Sequence, residues 1–91
     1  MMRLLGIDPG SRLTGFGVIE VEDRHIGYLT CGCIRTTPGA LPLRLKEIFD
    51  GVEEVIAEFQ PTELAIEKVF VHRNVDSAMK LGHARGAAIV A

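Results

Sequence analysis

The stretch Leu4-Leu5-Gly6-Ile7-Asp8-Pro9-Gly10-Ser11 constrains this chain more than any other. A short apolar run has strand character and delivers one carboxylate, Asp8, to the point where the strand must stop. Pro9 has no N–H to offer a ladder, and Gly10 accepts the backbone angles of a tight turn. The chain re-extends at once through Gly15-Phe16-Gly17-Val18-Ile19. An acid at a strand end beside a glycine-bearing turn sits where open sheets place ligands or metal ions. The same acid is also an ordinary turn residue before proline, and the tetrapeptide alone leaves both readings open.

The following segments build on that strand. Residues 13–22 form a second strand, with Phe16, Val18 and Glu20 on one face and Gly15, Gly17, Ile19 and Val21 on the other. The two glycines leave room for a ligand or another backbone to approach closely. Glu22-Asp23-Arg24 is a polar turn, and a third strand from His25 to Arg35 completes an antiparallel meander, with Ile26, Tyr28 and Leu29 as its apolar start. Pro42 suits the first turn of a helix. Leu41, Leu45, Ile48, Val52, Val55, Ile56 and Phe59 then recur at helical spacing until Pro61 ends the run, with Arg44, Lys46, Glu47, Glu53, Glu54 and Glu58 outside. Gly51 within this helix weakens it by about 1 kcal/mol relative to Ala, which packing must offset.

Glu63-Leu64-Ala65-Ile66-Glu67 is a strand reached from a helix, so it is expected to lie parallel to the first in a right-handed crossover. Parallel neighbours end on the same sheet edge, which brings Asp8 and Glu67 together. A second helix begins near Asn74 or Asp76, either of which can cap it. On it Ala78, Gly82 and Gly86 share a face almost devoid of side chain, suited to close helix packing within the domain or between subunits. The fold expected is α/β: a three-stranded meander, then helix, parallel strand and helix on a mixed sheet.

Two converging carboxylates suit a divalent cation. Mg²⁺ takes oxygen ligands, keeps several waters, and is commonly held by one or two carboxylates plus substrate phosphate. A pair of such ions serves in-line phosphodiester displacement, although two acids alone barely support a pair. Phe70, three residues past Glu67, is either a core aromatic or a platform for an unpaired base. Arg73 follows it, and Arg12 in the first turn either meets a phosphate or faces water. His25, His72 and His83 have no ligand spacing and are expected at the surface.

Bulk properties bound these readings. Ninety-one residues make one small domain at most. A net charge of −2 is not the footprint of a nucleic-acid binder. Cys31 and Cys33 would point to one face of a strand about 7 Å apart, poor geometry for a disulfide, and suit a reducing cytoplasm. No signal peptide is expected, since Asp8 interrupts the short apolar stretch after Arg3, and no apolar run reaches membrane-spanning length. The chain stops in the apolar stretch Ala87-Ala88-Ile89-Val90-Ala91, so residues 1–91 are expected to be the N-terminal part of a single longer domain.

Three motifs in order make the chain resemble the bacterial RuvC-type Holliday junction resolvases. They are Gly6-Ile7-Asp8-Pro9-Gly10-Ser11 with Thr14-Gly15-Phe16-Gly17-Val18, then Ala65-Ile66-Glu67-Lys68-Val69-Phe70, then Asn74-Val75-Asp76-Ser77-Ala78-Met79-Lys80-Leu81-Gly82-His83-Ala84-Arg85-Gly86. The resemblance implies a ribonuclease H-like fold and a homodimer that cuts two opposed strands of four-way junction DNA, in partnership with a branch-migration helicase complex. It implies Mg²⁺, with Mn²⁺ as a plausible substitute, held by four acids of which Asp8 and Glu67 are the first two. It assigns Phe70 to bases near the junction centre and the helix carrying Ala78, Gly82 and Gly86 to the dimer interface. Two acids and the basic C-terminal residues of the family lie beyond this sequence, so the 91-residue piece alone is expected to be inactive. Two other classes share features with it. Actin-like nucleotide-binding proteins of the sugar-kinase and chaperone ATPase type also open with a Gly-Ile-Asp-x-Gly turn on a meander, where the turn cradles phosphate. They differ in lacking so early an Ile66-Glu67-Lys68-Val69-Phe70 strand and in being far longer. A non-catalytic fold relative or truncated dimerisation module is the third; intact Asp8 and Glu67 speak against loss of the chemistry by substitution, though not by truncation.

Overall fold

The structure, a computed structural model, describes residues 2–67 and 75–91, with side chains described from residue 79 onward in the last helix. Phe70 and Arg73 lie outside the described residues, as does the side chain of Ala78. The described elements run β1 (Met2–Asp8), β2 (Leu13–Glu22), β3 (His25–Arg35), α1 (Leu41–Phe59), β4 (Glu63–Ile66) and α2 (Val75–Val90). The sheet order is β3-β2-β1-β4, with β1 antiparallel to β2, β2 antiparallel to β3, and β4 parallel to β1. The expected meander and crossover are therefore both present.

Strand parity sets up two unlike faces. Leu5 lies opposite Val18 and Ile7 opposite Phe16, and in the parallel pairing Leu5 meets Leu64 and Ile7 meets Ile66. This face carries the core, where Leu5, Ile7 and Val18 pack with Ile48, Val52 and Val55 of α1 and Ala84 and Ala88 of α2. The other face presents Asp8 opposite Gly15 and Gly6 opposite Gly17, a strip of nearly bare backbone leading up to the acid. Side-chain alternation on β3 is interrupted by a bulge: Val18 pairs with Thr30 but Ile19 pairs with Tyr28. The extra residue, Leu29, turns to the core side, while Ile26 and Tyr28 stand 72% and 71% exposed on the open face. The apolar start expected for β3 is thus divided between the two faces.

Helix α1 spans the range its periodicity implies. It has no side-chain N-cap at Ala40, whose carbonyl instead accepts from the Leu43 and Arg44 amides. It ends where Gln60 turns left-handed at φ 49° and donates its N–H to Ile56 O at 2.8 Å, immediately before Pro61. Gly51 is explained by its neighbour: a Cβ there would lie 2.8 Å from Ile34 Cδ1 and 2.9 Å from Cγ1, so β3 packs against helix backbone at this point. Arg3 ties the lower end together, with Nη1 donating to Phe59 O at 2.6 Å and Nε to Glu20 Oε1 at 3.0 Å. Its charge at the helix C-terminus also complements the α1 dipole.

Candidate functional site

The chemistry-bearing residues collect at one edge of the sheet. β1 and β4 both end there, β2 begins there and β3 ends there, since Leu13 pairs with Arg35. Asp8 closes β1, and Glu67 follows directly on β4. The Glu67 amide donates to Ile7 O at 3.1 Å, extending the parallel ladder by one residue and setting the two acids side by side. Hydrogen bonding to the Asp8 carboxyl and, after it, the Asp8 charge hold the Glu67 carboxyl above the ordinary carboxylate range, with desolvation adding to the effect. The two acids that the parallel crossover brought together on paper are in contact.

The backbone around each acid is held from several directions. Thr14, fully buried, accepts from the Gly10 amide at 3.2 Å and donates to Gly10 O at 2.8 Å, pinning the turn after Asp8. A Cβ on Gly10 would collide with Leu13 O, so only glycine fits. Ser11 O accepts from Thr36 Oγ1 at 2.9 Å and from Arg44 Nη2 at 2.9 Å, which fastens the same turn to α1. Arg85 of α2 donates from Nε to Glu67 O at 3.0 Å. Thr14, Thr36, Arg44 and Arg85 escaped the sequence reading, which set Arg44 on the solvated helix face. Their partners are mostly backbone atoms, and residue spacing carries no trace of them.

A hard cation fits this pair in donor type: both groups are carboxylates, and a cation relieves the repulsion between them. Among the described residues no third His, Cys, Asp or Glu joins them. Asp8 is exposed, and the glycine strip beside it leaves space: a Cβ on Gly15 would come no closer than 3.8 Å to the Asp8 Cβ. Arg12 is exposed at the same edge. Gly82 and Gly86 look onto open space and take no part in packing α2 on α1, which falls to Ala84 and Ala88. Cys31 and Cys33 are free thiols, and His25 and His83 lie at the surface. No helix among the described residues is long and apolar enough to cross a membrane.

Known proteins place this geometry in context. The family described as crossover junction endodeoxyribonuclease RuvC matches residues 4–91. A curated member from Shewanella sediminis is 63% identical over 91 residues, all of this chain and 53% of its own length. The chain thus spans about half the length of the curated relatives it matches. The structure of Thermus thermophilus RuvC in complex with Holliday junction substrate superposes with a TM-score of 0.89 at 34% identity, covering 99% of this chain and 56% of that one. The Aquifex aeolicus Ppx/GppA phosphatase, at 21% identity and a TM-score of 0.56, shares the fold alone. On the family match over residues 4–91 and the 63% identity to the curated member, the chain belongs to the crossover junction endodeoxyribonuclease RuvC family.

Proposed function

We propose that the full-length protein is a Mg²⁺-dependent, structure-selective endonuclease that resolves four-way DNA junctions by paired symmetric nicks during recombination and repair. The observation that carries this reading is the contact between Asp8 and Glu67 at the edge of the sheet, in a chain of this family. In this reading Asp8 and Glu67 hold Mg²⁺, for which Mn²⁺ substitutes, together with acids from beyond residue 91. The ion supplies activation of the attacking water and stabilisation of the departing oxygen. The chain's own part is positional. Thr14 and the Arg44–Ser11 contacts hold the turn after Asp8, Arg85 holds Glu67, and the glycine strip leaves space beside Asp8 for a sugar-phosphate backbone.

Residues 1–91 form the N-terminal part of one nuclease domain. The protein acts in the cytoplasm as a homodimer, with Ala78, Gly82 and Gly86 in the interface, and works with a branch-migration helicase complex. The open space over Gly82 and Gly86 supports that interface, because the bare helix face is not consumed within the chain. Phe70 stacks on unpaired bases at the junction centre, with Arg73 and Arg12 on phosphates. The test is cleavage of a mobile four-way junction against a linear duplex by the full-length protein, in Mg²⁺ or EDTA. Symmetric, Mg²⁺-dependent nicks confined to the junction are expected, and equal cutting of both substrates would defeat the reading.

A further inference from the structure

The sheet edge that carries the acids also carries a basic cleft. Arg12 in the β1–β2 turn, Arg35 at the end of β3 and Arg44 in the first turn of α1 line a depression of about 560 Å³, with Thr36, Pro38 and Gly39 completing its wall. Three of the seven arginines of an acidic chain therefore converge on one spot. Among the described residues no carboxylate lines it. The nearest acid on α1, Glu47, accepts the Thr37 amide at 2.6 Å instead. Among the described residues neither Arg12 nor Arg35 has a side-chain hydrogen bond or ion pair, in contrast to Arg3, which is matched to Glu20.

Local structure prepares the cleft for an anion. Arg44 points Nε and Nη2 at Ser11 O and Oγ, so its guanidinium is fixed while both Nη1 hydrogens remain available. The acceptors that would otherwise compete for the arginines are occupied: Arg12 O takes the Thr36 amide at 3.0 Å, and Ser11 O takes Thr36 Oγ1. An ordered guanidinium with two freer ones around it matches a tetrahedral, doubly accepting phosphate oxygen pair better than a lone surface lysine does.

We propose that Arg12, Arg35 and Arg44 form a subsite for one backbone phosphodiester of the DNA, set beside the Asp8–Glu67 pair. The proposal rests on the nuclease reading above. β3 lies two strand spacings from β1, so the cleft is about 10 Å from the acids, within reach of a neighbouring phosphate on the same duplex arm. The edge is divided by charge, acids over β1 and β4 and arginines over β2, β3 and α1. A duplex arm laid along it meets attraction at the cleft and, through a cation, at the acids. This arrangement also reconciles a net charge of −2 with a nucleic-acid partner, because three of the ten basic side chains are gathered at the edge that carries the acids.

The test is the salt dependence of four-way junction binding by the full-length protein in EDTA. Loss of a phosphate contact lowers the slope of log K against log salt by about 1, so R12A/R35A is expected to show that reduced slope and about tenfold weaker binding in moderate salt. R35K retains the slope, and R24A, which removes one positive charge at the opposite end of the sheet, leaves both slope and affinity unchanged. A parent protein that binds and cuts junctions, with R12A/R35A showing the same slope and affinity, would overturn the subsite and leave the nuclease reading standing. An equal loss in R24A would also overturn it, since net charge would then account for the effect. A parent that neither binds nor cuts junctions would overturn both.

Discussion

Asp8 and Glu67 touch through their carboxyl groups because two parallel strands end in register, Ile7 beside Ile66, with one more backbone bond from the Glu67 amide to Ile7 O. Nothing in the core requires this contact. Both side chains lie on the sheet edge away from the apolar cluster, and each would be better solvated alone. Such an arrangement is understandable when a cation is to occupy the space between the two groups.

Removing either carboxylate should therefore abolish turnover and spare the fold. Asp8→Asn and Glu67→Gln in the full-length protein are expected to lower junction cleavage by more than about 100-fold, beyond the 10–100-fold typical of partners one shell further out. Junction binding in EDTA should be preserved. Normal cleavage by either variant would remove that residue from the metal site.

The same contact has a pH signature in the metal-free protein. The Glu67 carboxyl titrates above its ordinary range, first because of its hydrogen bond to Asp8 and then because of the Asp8 charge. The folded state consequently holds this proton to higher pH than the unfolded chain does. The associated stability is complete below the ordinary carboxylate value and is lost as pH rises through the raised one. Thermal melts of Glu67→Gln and parent in EDTA should diverge upward through that window, with the variant melting higher at neutral pH, and Mg²⁺ should raise the parent's melting temperature selectively. Parallel curves for the two proteins at all pH values would contradict the contact.

Thr14 shows how much of the site's geometry depends on one buried hydroxyl. Thr14→Val keeps the shape but leaves the Gly10 amide and carbonyl without their partner, a loss of about 1–3 kcal/mol. Thr14→Ser keeps the hydroxyl and removes one methyl, costing about 1 kcal/mol. Denaturant midpoints in that order would confirm that the hydrogen bonds outweigh the methyl. Serine as the worse substitution would reverse that assignment.

Arg85 acts on Glu67 through the backbone, so its effect should appear in metal dependence. Arg85→Leu removes the donor to Glu67 O and should raise the Mg²⁺ concentration needed for half-maximal junction cleavage by about tenfold, as loss of a supporting partner does elsewhere. Arg85→Lys should recover part of this, since an ammonium also donates to a carbonyl. An unchanged Mg²⁺ profile in Arg85→Leu would assign the contact to structure alone.

The legible parts of this protein are those written in nearest-neighbour chemistry. Alternation and turn residues gave β2 and β3 with their ends at Leu13–Glu22 and His25–Arg35, and the apolar stripe with Pro61 gave α1. The Asp8–Glu67 meeting followed from one topological rule, that a strand reached through a crossover helix lies parallel. The bulge at Leu29 was not legible, because a period-two pattern records which residues are apolar but not where the partner strand skips one. Thr14, Thr36, Arg44 and Arg85 were hidden for a related reason: each acts on main-chain atoms, which are the same at every position and leave no compositional mark.

Gly51 is the place where local propensity and packing oppose one another most directly. A glycine inside a helix loses about 1 kcal/mol against alanine, so Gly51→Ala would stabilise an isolated helix by that amount. In the fold, however, the new Cβ would fall 2.8, 2.9 and 3.0 Å from Ile34 Cδ1, Cγ1 and Cγ2, all parts of a side chain branched close to its own strand backbone. Such overpacking typically destabilises by about 1–3 kcal/mol, which outweighs the helical gain. Gly51→Ala should thus lower stability by about 1 kcal/mol net. Trimming the neighbour by Ile34→Val should relieve part of that in the double variant, giving a favourable coupling in a double-mutant cycle measured by denaturant unfolding. Additive effects of the two changes would show that α1 and β3 have room between them at this point, and the glycine would then lack a packing explanation.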